Sequence, residues 1–262
     1  MNRRLLHAFL LTGMGCAIHT VDTMASTTPS SVVPGQSLRV AINHGNAVLA
    51  KFNPGTGQLS GVSVDIAQEL GKVLGVTIEL VGFDAANKSV EAVRQGLVDF
   101  GFFAIDPARS QGLRFTPAYL VIEGAYAVPQ NSSIQTPREV DRPGVRVVVA
   151  ERSAYDLYLS RTLKEATLIK TVRSDEVVAR MVSGSFEVAA GVKQQLEKDL
   201  QKHHDLRLIQ PSFMQIQQAM ATAESKPELL AELQRLLEQL KTSGFIRESL
   251  RRHQIDNVAI AP

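Results

Sequence analysis

The spacing of apolar residues changes period along the chain. Leu38–Ile42 is a short apolar run read as a strand, and polar Asn43-His44-Gly45-Asn46 follows it as a loop. Asn53-Pro54-Gly55-Thr56-Gly57 predicts a turn. The spacing of Gly55, Gly57 and Gly61 misses both the dinucleotide and the Walker phosphate loops. Val62, Ile66, Leu70 and Val73 fall on one helical face, and Gly75 stops the helix. Val76–Val81 reads as a strand, Phe83–Asn87 as a loop, Ser89–Gln95 as a helix ending at Gly96, and Val98–Ile105 as the next strand. Alternation of strand and helix predicts a parallel sheet covered by helices.

The same order then begins again. Val145–Ala150, Leu168–Val172 and Phe186–Ala190 read as strands, separated by helices over Ser153–Leu163 and Asp175–Ser183. Gly96 and Asp99 before the earlier strand find counterparts in Gly184 and Glu187 before the later one. A helix, a glycine, an acid and a buried strand thus occur twice, which predicts two similar α/β lobes. The chain ends in helices. Ser225-Lys226-Pro227-Glu228 reads as a capping box, Leu229, Leu233, Leu236 and Leu240 form a buried stripe, and Gly244 closes the helix.

Composition narrows the class. The 262 residues are 44% hydrophobic and 21% charged, enough for a sizeable core. A formal charge of +2, with no basic run interleaved with aromatics, argues against a nucleic-acid partner. Residues 1–25 form a distinct leader: cationic Met1-Asn2-Arg3-Arg4, a mostly apolar stretch from Leu5 to Ile18, and small residues at Thr23 and Ala25. That is the pattern of a cleavable secretory signal, with cleavage expected after Ala25. The single cysteine, Cys16, lies inside it; lipid anchoring there is the minor alternative, because the leucine usual three positions earlier is missing. The mature chain then has no disulfide, which suits a bacterial periplasm. Residues 26–37, rich in Ser, Thr, Pro and Gly, read as a flexible lead-in.

The ordered motifs resemble those of the bacterial periplasmic amino-acid-binding proteins, the family 3 solute-binding components of ABC importers. Gly61-Val62-Ser63-Val64-Asp65-Ile66 is similar to their Gly-Phe-Asp-Ile-Asp-Leu signature, and Pro107-Ala108-Arg109 to their Thr-Pro-Glu-Arg turn. Phe115-Thr116-Pro117-Ala118-Tyr119 is similar to their Phe-Ser-x-Pro-Tyr, and the closing LLEQLKTSGFIRESLRRH to their last two helices. The resemblance implies a type II periplasmic-binding fold, with two α/β lobes joined by two crossover strands near Ala125–Val128 and Met214–Gln218. Lobe 1 would comprise residues 26–126 and 216–262, and lobe 2 residues 127–215, with a ligand cleft between them. It also implies a monomer that takes a small molecule to a membrane permease, with no cofactor and no metal.

Within this resemblance Arg109 is the residue expected to pair with a ligand carboxylate, since a guanidinium offers a planar fork of donors. A local ion pair with Asp106 is the competing role for it. Asn43, His44 and Asn46 follow the first strand, and Asn87 with Lys88 opens the next helix. In lobe 2 Ser153 occupies the place of a Gly-Ser-Thr helix start, with Arg152 for glycine and Ala154 for threonine; a plain helix cap is the alternative reading.

Two departures shape the expected ligand. Ala104-Ile105-Asp106 replaces the hydroxyl residues that normally meet a ligand amino group. Gly191-Val192-Lys193 holds no acid where the family keeps an aspartate for the ligand ammonium. The carboxylate half of an amino-acid site is therefore expected and the ammonium half is not, with Lys193 offering a second positive group. This favours a small organic acid or modified amino acid; a standard amino acid is the alternative, with Asp106 supplying the missing charge. A dehydratase-type enzyme on the same fold is a further alternative, with Asp106, Glu123, His44 and Lys193 as acid–base candidates. No nucleophile motif accompanies them, and His203-His204 has no evident partners for a metal.

Overall fold

The computed structural model describes residues 35–262; the expected signal segment, Cys16 and most of the lead-in lie outside the described residues. Strand β1 (Ser37–Asn43) pairs in parallel with β4 (Thr77–Phe83) on one side and β5 (Phe100–Ala104) on the other. Helices α1 (Val62–Leu74) and α2 (Ala86–Arg94) make the crossovers. A small hairpin, β2 (Lys51–Asn53) and β3 (Gln58–Ser60), is built on the predicted Asn53–Gly57 turn. The second unit repeats the plan. Strand β8 (Arg146–Ala150) pairs in parallel with β9 (Thr167–Thr171) and β10 (Val188–Val192). Helices α3 (Ala154–Thr162), α4 (Val177–Ser183) and α5 (Lys193–Leu200) accompany these strands.

Two long strands join the units. β7 (Leu120–Pro129) and β11 (Leu206–Ala223) run antiparallel, with a break in register between Ile209 and Met214. β6 (Leu113–Phe115) and β12 (Ala259–Ile260) pair with β11 and β7 respectively, and helices α6 (Pro227–Thr242) and α7 (Phe245–Arg252) complete the chain. Along the main path the strands lie in the order β4-β1-β5-β11-β7-β10-β8-β9.

The hydrophobic cores divide along these crossover strands. Ile122 and Ile216 belong to the first core, with Val40, Phe100 and the leucines of α6. Ala125 and Ile209 belong to the second, with Val147–Val149 and Met181. A smaller cluster under α2, including Val93, Phe103 and Leu113, covers the other face of the first sheet.

The internal repeat noticed in the sequence has a common mechanical cause. Asp99 accepts the backbone N–H of Arg39 at 2.7 Å, and the Arg39 guanidinium reaches Gly96 O at 3.1 Å. Glu187 accepts the backbone N–H of Arg146 at 2.8 Å, and that guanidinium reaches Ser185 O at 2.7 Å. In each lobe the acid ahead of the third strand thus secures the start of the first.

Two expectations are corrected. Val73 is 53% exposed, and Leu74 packs at the core edge instead, continuing the four-residue row of Val62, Ile66 and Leu70. The capping box at Ser225 does not form: α6 starts at Pro227 with Lys226 as the cap residue and no side-chain cap. Lys226 Nζ instead donates to Asp99 at 2.6 Å, drawing this turn onto the first lobe.

Candidate functional site

The carboxyl ends of β1, β5, β8 and β10 converge on one cavity of about 60 Å3. This is where open α/β sheets place their ligands, because loops diverge from the strand ends there. Asn43, Asn46, Ala104, Arg109 and Ser63 line it from the first lobe, and Glu151, Ser153, Tyr155, Ser174, Val192 and Gln195 from the second. Phe102, Phe103, Leu49 and Leu196 supply apolar wall, and Ile216 and Gln218 of the crossover strand β11 also border it.

Arg109 stands in this wall because β5 ends in a rigid turn. Asp106 caps a 3-10 turn over Pro107–Arg109 by accepting the Ala108 N–H at 2.8 Å. Proline needs no donor at that position, so the turn closes without an orphaned N–H. Arg109 is 5% exposed. Its Nη1 donates to Ala104 O at 3.2 Å and its Nη2 to Arg152 O, on the other lobe, at 3.1 Å. It has no carboxylate partner among the described residues. Burial pushes its pKa down to about 10; Asp106 offsets this in part, and Arg152 adds to it. A buried cation of this kind favours an incoming anion.

The competing ion pair with Asp106 is not formed. Asp106, also 5% exposed, takes both prongs of Arg161 from α3, at 3.1 and 2.8 Å. Asp106 is therefore committed across the lobes and absent from the cavity wall, so it is not placed to meet a ligand ammonium.

The N-terminus of α3 faces Arg109 from the second lobe. Ser153 Oγ accepts the Asp156 N–H at 3.1 Å, a regular helix cap, and the residue also lines the cavity. The N–H groups of Ala154 and Tyr155 have no partner among the described residues, and both residues border the cavity. They carry the positive end of the helix dipole toward the same space as Arg109. Arg152, where the resemblance expects glycine, holds a left-handed φ of 55° to make this turn.

The remaining expected residues divide. Asn43 and Asn46 reach the cavity; Asn43 also accepts the Gly45 N–H at 3.1 Å. Gly45 is required at that turn, because a Cβ there would fall 2.2 Å from Asp84 O. His44 points away, stacked on Phe52 with ring centroids 5.1 Å apart, and burial lowers its pKa. Asn87 and Lys88 line a separate hollow of about 410 Å3 that Arg109 and Arg152 also border. Lys193 lies outside the lining and donates to Glu123 at 2.9 Å, with Ser212 on the same oxygen at 3.1 Å. That bond lowers the pKa of Glu123 and raises that of Lys193, so the pair is a fixed ion pair on the crossover strand. Lys193 is thus not a second free cation in the cleft.

Sequence reasoning passed over Glu151, the only lining residue besides Arg109 that carries a charge. The available signal was an acid at the end of the first lobe 2 strand, just ahead of a helix cap. Among the described residues no helix is long and apolar enough to cross a membrane, and no group of three acidic, His or Cys side chains is arranged to hold a metal.

Residues 38–254 match the sequence profile of the bacterial extracellular solute-binding proteins, family 3. No curated protein sequence matches the chain. Among solved structures, the solute receptor for L-cysteine of Neisseria gonorrhoeae is 21% identical, with a TM-score of 0.72 over 83% of this chain and 89% of that one. The substrate-binding protein of an amino acid ABC transporter is 16% identical, with a TM-score of 0.72 over 82% and 98%. A histidine kinase sensor domain with similarity to periplasmic binding proteins is 17% identical, with a TM-score of 0.75 over 86% and 98%. At such identities the likeness establishes the fold.

Proposed function

The chain belongs to the bacterial extracellular solute-binding proteins of family 3, and from that premise we propose that it captures a small carboxylate-bearing solute and delivers it to the permease of an ABC importer. The observation that carries this reading is Arg109: a buried guanidinium at the cavity wall, held by two backbone carbonyls and paired with no carboxylate. A ligand carboxylate would take its remaining donors and the free N–H groups of α3. Each charge-assisted hydrogen bond in so dry a place is worth about 1.5–3 kcal/mol.

Size supports a small solute. A cavity of about 60 Å3 matches the liquid volume of about two waters, which suits a molecule of few heavy atoms. Capture by lobe closure fits the contacts that already bridge the lobes from Asp106 and Arg109. Export to the periplasm through the leader of residues 1–25 belongs to the same proposal.

The experiment is native purification of the mature protein followed by denaturation and mass spectrometry of what it releases. A small carboxylate that returns unaltered and raises the melting temperature on re-addition supports the reading. A ligand without an acid group, or one chemically changed during incubation, contradicts it, the second result favouring an enzyme.

A further inference from the structure

We infer that Gln218, on the crossover strand β11, reads a hydroxyl of the solute, so that the cleft takes a small hydroxy acid; this rests on the carboxylate reading above. Ile216, Gln218 and Met220 alternate along one face of β11. Ile216 and Met220 are buried in the first core. Gln218 is the polar member of this row; it is 4% exposed and lines the cavity. Its carboxamide makes no hydrogen bond among the described residues, and its atoms are not among those sealed off without a partner. The amide therefore opens onto the cavity. Buried polar groups are as a rule hydrogen-bonded, so a free amide in so enclosed a wall marks a place where a ligand supplies the partner.

The sheet holds this amide close to Arg109. Gln218 sits in mid-sheet, level with Ala104 of β5 and Leu120 of β7. Directly opposed residues of antiparallel strands share a face, with Cβ atoms about 4.5–5.5 Å apart. Ala104 presents only a methyl there, which leaves the amide uncovered. The carbonyl of the same Ala104 takes Arg109 Nη1 at 3.2 Å. A carboxylate on Arg109 brings the carbon beside it toward Gln218.

Chemistry then selects the group. A carboxamide has an acceptor oxygen and a donor nitrogen but no charge. A hydroxyl both donates and accepts, so it pairs with either end of the amide. An ammonium would need a counter-charge in this enclosed part of the wall. Asp106 is held by Arg161, Glu123 by Lys193, and Glu151 is exposed to solvent. Arg109 is the one buried charge among the lining residues. A single carboxylate with a hydroxyl on the adjacent carbon satisfies both Arg109 and Gln218.

Calorimetric titration of the mature chain tests this with matched pairs: lactate and propionate, 2-hydroxybutyrate and butyrate, glycerate and 3-hydroxypropionate, each chiral acid in both enantiomers. At least one 2-hydroxy acid should bind about tenfold or more tighter than the partner lacking that hydroxyl, because the partner leaves the amide unpaired. L-alanine should bind more weakly than L-lactate. Gln218→Met keeps the length of the side chain and suits the apolar row. It should bring the ratio close to one, with the deoxy acid bound as well as before or better and the unliganded melting temperature no lower than in wild type. An unchanged ratio in Gln218→Met, equal or tighter binding of the deoxy acid in every wild-type pair, or L-alanine bound more tightly than L-lactate overturns the inference. So does a lowered melting temperature of the variant, which would make the amide a structural group. Arg109→Ala separates the two readings. If it binds lactate and propionate as wild type does, the carboxylate assignment fails, while the Gln218→Met ratio still judges the hydroxyl assignment.

Discussion

Asp106 and Arg161 stand on opposite lobes and close a two-pronged ion pair, 3.1 and 2.8 Å long, beside the cleft. Asp106 is almost wholly enclosed, while the Arg161 side chain keeps 43% of its exposure, so solvent screens part of the attraction. We read the pair as a latch that favours the lobes together. Any solute that needs closure binds with an apparent affinity scaled by the closed population.

Opening that latch should therefore weaken binding without touching the solute. Arg161→Ala is expected to cost about 1–2 kcal/mol of closure, or roughly a fivefold to thirtyfold loss of affinity. Small-angle scattering of the unliganded protein should show a larger radius of gyration in the variant. Identical scattering and affinity in the two proteins would mean the pair contributes nothing to closure.

Arg109 presents the opposite balance between stability and function. Its pKa, pushed down to about 10 by burial, means the fold bears a penalty on the order of 3 kcal/mol for keeping the charge. Bonds to two carbonyls offset much of it. Arg109→Met should leave unliganded stability within about 1 kcal/mol of wild type or above it, measured by urea unfolding. A loss of several kcal/mol would make Arg109 a structural residue.

Arg152 adopts a backbone that glycine takes more readily, with φ at 55°. The left-handed conformation costs a non-glycine residue about 1–2 kcal/mol, and glycine returns part of that through its freer unfolded chain. Arg152→Gly should raise stability by up to about 1 kcal/mol, seen as a higher urea midpoint at unchanged slope. A lower midpoint would show that the arginine side chain makes a compensating contribution.

His44 gives a pH signature. Burial lowers its pKa from the ordinary 6.5, with Asp84 opposing and Arg173 assisting. The folded state then resists protonation more than the unfolded chain does. Stability should fall as pH drops below about 6.5 and level off below the folded pKa. NMR titration of the His44 ring should give a midpoint under 6.5, and added solute should leave it in place because the ring lies outside the cavity wall. A midpoint at or above 6.5 would contradict the burial argument.

The two-lobe plan was legible because periodicity, glycine stops and the doubled acid before a buried strand are local features. So was the proline turn ahead of Arg109, although the capping role of Asp106 was not, because that residue read as an ion-pair or ligand partner. The cleft chemistry was less legible because it depends on register between distant segments. No local pattern reports that Asp106 meets Arg161, 55 residues on, or that Lys193 turns back to Glu123. Glu151 was hidden for the same reason.

The most direct measurement is calorimetric titration of wild type and Arg109→Ala with the carboxylate released from the natively purified protein. One to two charge-assisted bonds of about 1.5–3 kcal/mol each should vanish, so affinity should fall at least tenfold while the variant keeps its fold by circular dichroism. Equal affinity in the two proteins would contradict the claim that this guanidinium holds the ligand.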